Sequence, residues 1–227
     1  MKRYNLEKNI RINKIINKLR NLDLIINHNH DNIVLDNFNG TQYRIANNWF
    51  SYIDLNNYKD RPINYLEVGV FYGANLLSVA KSYGSHKDSK LYCIDPWEDY
   101  EEYYEYKNHQ KTIYDTFINN VENSGSKEKI IINKGYSTTE IPKFDNNFFD
   151  IIYVDANHEE QFVLQDATLS FKKLKIGGIM IFDDFNDCYS DCWTGTKNAI
   201  NTFFHLYKNN ITWLGLKDTQ IFIRKNN

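Results

Sequence analysis

The sequence predicts an α/β fold with a mostly parallel sheet, helices on both faces and a C-terminal antiparallel hairpin. From residue 63 onward, short apolar runs typical of buried strands alternate with longer segments of helical periodicity. Near the end of the chain, ITWLGL and QIFIRK are separated by only three residues, which predicts two antiparallel strands joined by a tight turn. With 227 residues, 42% of them hydrophobic, the chain is long and apolar enough to form a globular core.

Each expected strand is a short run rich in β-branched and aromatic residues. In chain order the predicted strands are INYLEV, KLYCID, KIIINK, FFDIIYVD, GGIMIFDD, ITWLGL and QIFIRK. Helices are expected in ANLLSVAKSY, in the segment that ends at Asn123, from Glu159 to Leu174, and around residues 197–207. Strands alternating with crossover helices favour parallel pairing for the first five strands.

The main domain is predicted to cover residues 62–227, with residues 1–61 as a helical extension and connector. Apolar residues between Leu6 and Ile26 have the spacing of an amphipathic helix; they are Ile12, Ile15, Ile16, Leu19 and Leu22. Residues 28–48 are polar and rich in Asn, as in a connector. The helix is expected either to pack on its own domain or to form a homo-oligomer.

Composition excludes several classes of protein. The formal net charge of −2 disfavours a nucleic-acid partner, which would need a strongly basic surface. Three cysteines are too few for a secreted disulfide framework, so we expect a reducing, cytoplasmic location. The charged start leads into no apolar segment, and no apolar run is long enough to span a membrane, so no membrane association is expected.

Acidic residues end four of the first five predicted strands. They are Glu67, Asp95, Asp155 and the pair Asp183 and Asp184. In an open α/β sheet, ligands bind at the carboxyl ends of the strands, so these side chains are candidates for a shared site. A single acid after a strand is more often a helix cap or a solvated loop residue, but the repetition favours a joint site.

The first of these turns favours a particular ligand. Gly69 and Gly73 follow the first strand and allow a tight turn with close approach of the backbone to a ligand. The turn lacks the G-x-G-x-x-G pattern of pyrophosphate binding, and Glu67 would repel a phosphate. Asp95, at the end of the second strand, can accept hydrogen bonds from ribose hydroxyls. A positively charged nucleoside such as S-adenosylmethionine fits these features.

With these motifs the sequence resembles the class I S-adenosylmethionine-dependent methyltransferases, which have a Rossmann-like sheet. Within them it resembles the metal-dependent small-molecule O-methyltransferases that include macrolide and aminocoumarin sugar methyltransferases. The resemblance covers residues 62–225. The motifs that carry it are Glu67-Val-Gly-Val-x-x-Gly73, Ile94-Asp95-x-Trp97, Gly135-x-Ser137, Phe149-Asp150-x-x-x-Val154-Asp155-x-x-His158, and Gly177-Gly178-x-x-x-x-Asp183-Asp184.

The resemblance implies roles for individual residues. Glu67, Gly69 and Gly73 would line the methionine end of the cofactor, and Asp95 would hold its ribose. Tyr72 and Asn75, in or beside the same turn, would also contact the cofactor, although the family usually has a small residue at position 75. Trp97 and Ser137 would lie beside the adenine, and Trp97 is equally compatible with a place in the core.

The acids of the fourth and fifth strands predict a metal site. Asp155, Asp183 and Asp184 would supply three carboxylates from adjacent strand ends, an all-oxygen set that suits Mg²⁺. His158 follows Asp155 by three residues, near a helix start that disfavours the charged imidazole. In the sugar methyltransferases that the sequence resembles, a His at this offset is the general base, whereas catechol-type relatives have Lys there.

The expected reaction is therefore methyl transfer from S-adenosylmethionine to a sugar hydroxyl, with Mg²⁺ on the aspartates and with His158 and Asp155 as catalytic residues. The acceptor would carry two neighbouring oxygens and could be a nucleotide sugar, a glycan end or another small molecule. Residues 96–106, which are aromatic and acidic, would either cover the mouth of the site or form a solvated surface. Residues 187–195 are expected to contact the acceptor.

Three other functions stay open at this point. A catechol or polyphenol O-methyltransferase would use the same metal with a flat acceptor. A methyltransferase for the RNA cap or ribose would need a basic groove. A module that binds S-adenosylmethionine without catalysis would retain the cofactor turn alone.

Overall fold

The structure is a computed structural model that describes residues 33–42, 45–102, 104–185 and 194–227. The predicted amphipathic helix between Leu6 and Ile26 lies outside the described residues, as does nearly all of the predicted acceptor loop at 187–195.

The fold class predicted from the sequence is confirmed. In the described part of the chain, seven strands form one sheet in the order β3-β2-β1-β4-β5-β7-β6. The strands are β1 Asn64–Val68, β2 Lys90–Asp95, β3 Ile130–Lys134, β4 Phe149–Val154, β5 Leu174–Phe182, β6 Ile211–Lys217 and β7 Gln220–Lys225. The first five pair in parallel, and β7 runs antiparallel to both β5 and β6.

Helices connect the parallel strands as the alternating pattern predicts. They are α1 Ala74–Lys81, α2 Gln110–Asn123, the single turn α3 Ser137–Glu140, α4 Glu160–Lys173 and α5 Thr194–Tyr207. Three short 3₁₀ segments, 46–51, 55–57 and 104–106, lie in the connector and in the loop after β2. No helix within the described residues is both long and apolar enough to cross a lipid bilayer.

The alternation of side chains along the strands divides the core into two layers. One layer packs α1 and α2 against side chains such as Tyr65 and Tyr153. The other packs α4 and α5 against side chains such as Ile152 and Phe182. All six residues of β4 are buried, as expected for a central strand covered on both faces.

The connector before residue 62 is part of this core. The indole of Trp49 is fully buried, and its ring centroid lies 5.6 Å from those of Tyr83 and Tyr153 and 6.1 Å from that of Tyr65. Part of the connector therefore packs on the main domain, and the boundary predicted at residue 62 stays a prediction. The sequence concealed this because Trp49 follows a polar, Asn-rich stretch.

Replacing Trp49 with Ala should destabilise the domain by about 3–5 kcal/mol, since a large buried aromatic side chain leaves a cavity when removed. Urea unfolding followed by far-UV circular dichroism measures the change. Tyr104→Ala is the matched control, because that ring is 79% exposed and its loss should change the free energy of unfolding little. Equal stabilities for the two variants would mean that the connector is dispensable to the core.

Candidate active site

The parallel register brings the ends of β1, β4 and β5 to one edge of the sheet. Val68 is paired with Val154, and Val154 with Phe182. The pairing continues past the strand ends, because the backbone N–H of Asp155 donates to Val68 O (2.8 Å) and that of Asp183 to Val154 O (3.1 Å). The predicted site residues after these strands therefore share one edge.

Glu67 lies at the centre of a buried polar cluster on β1. Its Oε2 accepts hydrogen bonds from the hydroxyl of Tyr65 (2.6 Å) and the side-chain amide of Asn75 (2.9 Å). Burial raises the pKa of Glu67 to about 8, although these two hydrogen bonds oppose the shift. A cation beside this carboxylate would favour its ionised form. The side-chain carbonyl of Asn75 is buried without a hydrogen-bond partner among the described residues, so the cluster also has an acceptor to offer.

The two glycines of the turn are required by contacts within the protein. Gly69 has φ +83°, and a Cβ there would lie 2.0 Å from the carbonyl oxygen of Asp155. Gly73 has φ +84°, caps α1, and a Cβ there would lie 2.8 Å from the ring of Phe117. Any larger residue at position 69 would separate the ends of β1 and β4, so Gly69 holds the two halves of the site together.

Asp95 fixes the same turn from β2. One carboxylate oxygen accepts from the backbone N–H groups of Val70 (2.9 Å) and Phe71 (3.1 Å), and the other from that of Trp97 (2.8 Å). Burial raises the pKa of Asp95, and these three hydrogen bonds oppose the shift. The structure thus gives Asp95 a role in shaping the turn, and its predicted contact with the ribose stays a prediction.

The structure places Trp97 in the core, which is the alternative that the sequence left open. The residue is 4% exposed, its ring stacks on Phe117 at 4.8 Å between centroids, and its indole N–H donates to Phe71 O (3.1 Å). Ser137 begins the single turn α3, and its side chain lowers the pKa of the buried Asp166, which burial raises to about 6. The third cofactor candidate, Tyr72, packs edge-on against Phe71 at 4.2 Å between centroids. Among the described residues, none of these three side chains hydrogen-bonds Glu67, Tyr65 or Asn75.

A second cluster lies at the ends of β4 and β5. One ligand atom from each of Asp155, His158 and Asp184 lies within 4.8 Å of the other two. The Nε2 of His158 lies 2.7 Å from Asp184 Oδ2 and 3.8 Å from Asp155 Oδ1. Asp184 has φ 54°, a left-handed conformation that Asp tolerates better than most residues and that ends β5 in a turn. Two carboxylates and an imidazole are a donor set that fits a divalent cation.

The surroundings of His158 raise the pKa of its imidazole. Burial alone would lower its pKa, but the nearby carboxylates of Asp155, Asp184 and Glu102 outweigh burial and raise the pKa to about 12. These carboxylates favour the charged form of the ring, and the neutral ring predicted from a helix start and a nearby dication stays a prediction. The helix effect is weak here because α4 begins at Glu160, two residues after His158.

Asp183 lies behind the cluster. It is 2% exposed, and its Oδ1 accepts from the backbone N–H of Asp184 and from the hydroxyl of Thr219, both at 2.7 Å. Its Oδ2 accepts from the side-chain amide of Gln220 (3.0 Å) and from the hydroxyl of Tyr153. Both oxygens are thus occupied by protein donors, and His158 takes the place predicted for Asp183 in the group of three.

Sequence reasoning missed Glu102. Its carboxylate lies 2.6 Å from His158 Nδ1 and accepts from the backbone N–H of the same residue at 3.2 and 3.3 Å. The sequence predicts that residues 96–106 either cover the mouth of the site or form a solvated surface. Within this segment Glu98, Glu101 and Glu105 carry the same carboxyl group as Glu102. No periodicity or motif distinguishes Glu102 from them.

Comparison with known proteins identifies the family. The family described as "Methyltransferase domain" matches residues 66–185, more than half of the chain. This chain belongs to the methyltransferase-domain family. The matched stretch contains Glu67 and Asn75 of the first cluster and the whole group of Asp155, His158 and Asp184. It also contains Glu102, which the structure adds to the predicted site residues.

A curated relative of this methyltransferase domain is the uncharacterized protein R132 of Acanthamoeba polyphaga mimivirus. The two are 29% identical over 136 residues, which are 58% of this chain and 56% of the relative. The chain thus spans little more than half the length of the curated relative that it matches. The match carries no description of an activity.

Solved structures share the fold of this methyltransferase domain. The O-methyltransferase TomG from Streptomyces achromogenes, in complex with SAM, is 17% identical with a TM-score of 0.53 over 72% of this chain and 73% of that one. A Bacillus cereus O-methyltransferase in complex with SAH is 16% identical, with a TM-score of 0.53 over 72% and 74%. The SAH-bound Podospora anserina methyltransferase PaMTH1 is 16% identical, with a TM-score of 0.54 over 73% of each. At such identities the likeness establishes the fold alone.

The buried acid of the first cluster predicts a pH-dependent stability. The folded protein holds the proton of Glu67 up to about pH 8, whereas the unfolded chain releases it near the ordinary value of 4.5. Stability from this group is therefore present below pH 4.5 and falls as the pH rises toward 8. Glu67→Gln should reduce the loss of unfolding free energy between pH 5 and pH 8 by about 1 kcal/mol or more, since one pKa unit corresponds to about 1.4 kcal/mol.

Urea unfolding at both pH values measures this difference. Glu128→Gln, at an exposed position, is the control and should lose as much stability as the wild type. If Glu67→Gln loses as much as well, Glu67 is ionised in the folded protein at neutral pH.

Proposed function

We propose that this chain is an S-adenosylmethionine-dependent O-methyltransferase that acts on a hydroxyl of a sugar, uses Mg²⁺ and has His158 as its general base. The observation that carries the proposal is the group formed by Asp155, His158 and Asp184, which shares one sheet edge with the turn after Glu67. Membership of the methyltransferase-domain family and the shared fold of O-methyltransferases support it.

The turn from Glu67 to Gly73 is the proposed cofactor site. S-adenosylmethionine would supply an electrophilic methyl group on a positively charged sulfur. Glu67 and Asn75 would bind the charged methionine end, because both present buried oxygen acceptors in one cluster. Asp95 would hold the turn in shape and, through remaining lone pairs, accept from the ribose hydroxyls.

Asp155 and Asp184 would hold the metal ion. A bound dication would lower the pKa of an acceptor hydroxyl, orient it, and offset the negative charge that keeps a proton on His158. Asp183 would support these ligands from behind, since its hydrogen bond from the backbone N–H of Asp184 fixes the backbone at that position.

His158 would remove the proton of the acceptor hydroxyl. Its Nε2 is the ring nitrogen that faces Asp155 and Asp184, whereas Nδ1 faces Glu102. A base at this position lies beside the proposed metal ligands, within reach of a hydroxyl held there. By the family resemblance, a His here favours a sugar acceptor over a catechol, for which a Lys is typical.

Asp184→Asn should weaken binding of Mg²⁺ or Mn²⁺ at least ~10-fold, because an amide oxygen carries no charge to offset that of the cation. Isothermal titration calorimetry of the purified protein with each metal measures the affinity. Asp218→Asn is the matched control, since Asp218 has nearly the same backbone conformation, φ 53° against 54°, in the turn between β6 and β7. Asp184→Asn binding either metal as tightly as Asp218→Asn would remove Asp184 from the ligand set.

Transfer of a labelled methyl group tests the proposed activity. The protein is incubated with labelled S-adenosylmethionine, Mg²⁺ and a panel of neutral sugars, nucleotide sugars and catechols. We expect labelling of a sugar hydroxyl, loss of labelling with EDTA and recovery with added Mg²⁺. Labelling of catechols alone would favour the rival acceptor, and cofactor binding without transfer to any acceptor would indicate a non-catalytic module.

His158→Ala in the same assay should lower kcat by ~10²–10⁴-fold, the usual contribution of a general base. Its affinity for S-adenosylmethionine should stay within about twofold of the wild type. An unchanged kcat would exclude His158 as the base while leaving the methyltransferase activity intact.

A further inference from the structure

Glu102 engages His158 twice. Its carboxylate lies 2.6 Å from the ring Nδ1 and also accepts from the backbone N–H of the same residue. One contact holds the ring and the other holds the chain that carries it, so a single side chain determines both the position and the rotation of the imidazole. The two residues are 56 positions apart in the sequence, so this is a long-range contact between two loops.

Glu102 is also buried, unlike the acidic residues beside it. Its side chain is 5% exposed, whereas Asp99, Glu101 and Glu105 are exposed. Burying a carboxylate is costly unless charge-assisted hydrogen bonds replace its hydration. The hydrogen bonds to His158 supply that replacement.

The segment that carries Glu102 is attached to the domain on both sides of it. Before it, Glu98 Oε2 accepts from the hydroxyl of Tyr136 (2.7 Å). After it, the ring of Tyr106 packs on Phe71 at 5.1 Å between centroids. Glu102 therefore reaches His158 from a segment that is attached both to the turn after β3 and to the proposed cofactor turn.

The three carboxylates around His158 differ in whether they belong to the candidate metal group. Asp155 and Asp184 belong to the candidate metal group, and Glu102 does not. A metal ion on the two aspartates would leave Glu102 as the partner that still holds the ring. A carboxylate on Nδ1 keeps a proton on that nitrogen, which makes Nε2 the nitrogen able to accept a proton from an acceptor.

We infer that Glu102 is a positioning residue for His158: it holds the imidazole through Nδ1 so that Nε2 points at the aspartates and the acceptor hydroxyl. The role of Nε2 as the proton acceptor rests on the proposed function. The contact between the two residues can be tested without turnover, so failure of one is distinguishable from failure of the other.

Histidine-labelled protein gives the first test. Long-range ¹H–¹⁵N NMR of ¹⁵N-histidine protein should show a downfield proton on Nδ1 of His158, assigned by its loss in His158→Gln. Glu102→Ala should abolish this signal, and Glu102→Gln should move it upfield, because a neutral amide oxygen is a weaker acceptor. Glu101→Ala, one residue away and exposed, should leave it unchanged.

A His158 signal that is the same in the wild type and in Glu102→Gln would overturn the inference. This comparison remains decisive if Glu102→Ala does not fold, because Gln has the size of Glu. Folding of each variant is checked by far-UV circular dichroism.

Kinetics on an acceptor identified by the labelling assay give the second test. Glu102→Ala should lower kcat about 10–100-fold, the usual cost of losing a residue that orients a catalytic group, with the KM for S-adenosylmethionine within about twofold of the wild type. Glu102→Gln should recover part of the loss, and Glu101→Ala should match the wild type. Equal kcat values for Glu102→Ala and Glu101→Ala would overturn the inference. If the wild type transfers no methyl group, the proposed function fails, and the NMR comparison still decides the contact.

Discussion

The buried carboxylate of Asp183 joins the C-terminal hairpin to the centre of the sheet. A carboxylate that is 2% exposed is stable only when hydrogen-bond donors replace its water. Its donors are Tyr153 from β4, Thr219 from the hairpin turn, Gln220 from β7 and the backbone of the next residue. Because that next residue is Asp184, the hydrogen bonds that satisfy Asp183 also determine where Asp184 lies.

The acids at the strand ends divide into two kinds by their partners. Asp95 and Asp183 accept backbone N–H and neutral side-chain donors, so they hold the chain in position. Asp155 also accepts from the hydroxyl of Tyr153 (3.1 Å), but Asp155 and Asp184 both face the ring of His158, a group that can change its charge. The sequence has Asp at all four positions. Only the groups around each carboxylate distinguish a structural role from a place in the candidate active site.

The sequence predicted the sheet well because buried parallel strands are continuous apolar runs, and the hairpin because its strands are separated by a turn. It also predicted Asp155, Asp183 and Asp184 at one edge, since the carboxyl ends of neighbouring parallel strands share an edge, with His158 facing the same crevice. In the structure His158 rather than Asp183 completes the group with Asp155 and Asp184. It could not predict the contact of Glu102, which depends on the path of an irregular loop. The predicted cytoplasmic location and self-association stay predictions.

Burial in the core was harder to predict than the sheet. Trp97 follows a strand, where a ligand contact and a core contact are equally plausible, and the decision depends on Phe117 of α2, which is distant in sequence. Trp49 packs on Tyr65, Tyr83 and Tyr153, which belong to later parts of the chain. Local composition carries no information on such partners.

The family match covers the candidate site but leaves out two of the residues that hold Asp183 in place. The match ends at residue 185 and includes Asp155, His158 and Asp184. Thr219 and Gln220, which hold Asp183 from the hairpin, lie beyond it. The hairpin turn also accepts from the chain just after the site, through Thr219 O and the backbone N–H of Phe185 (2.9 Å). A chain that ended with the matched stretch would keep every member of the group of three but lose two of the donors that satisfy Asp183, so the hairpin is part of the site's architecture as well as an edge of the sheet.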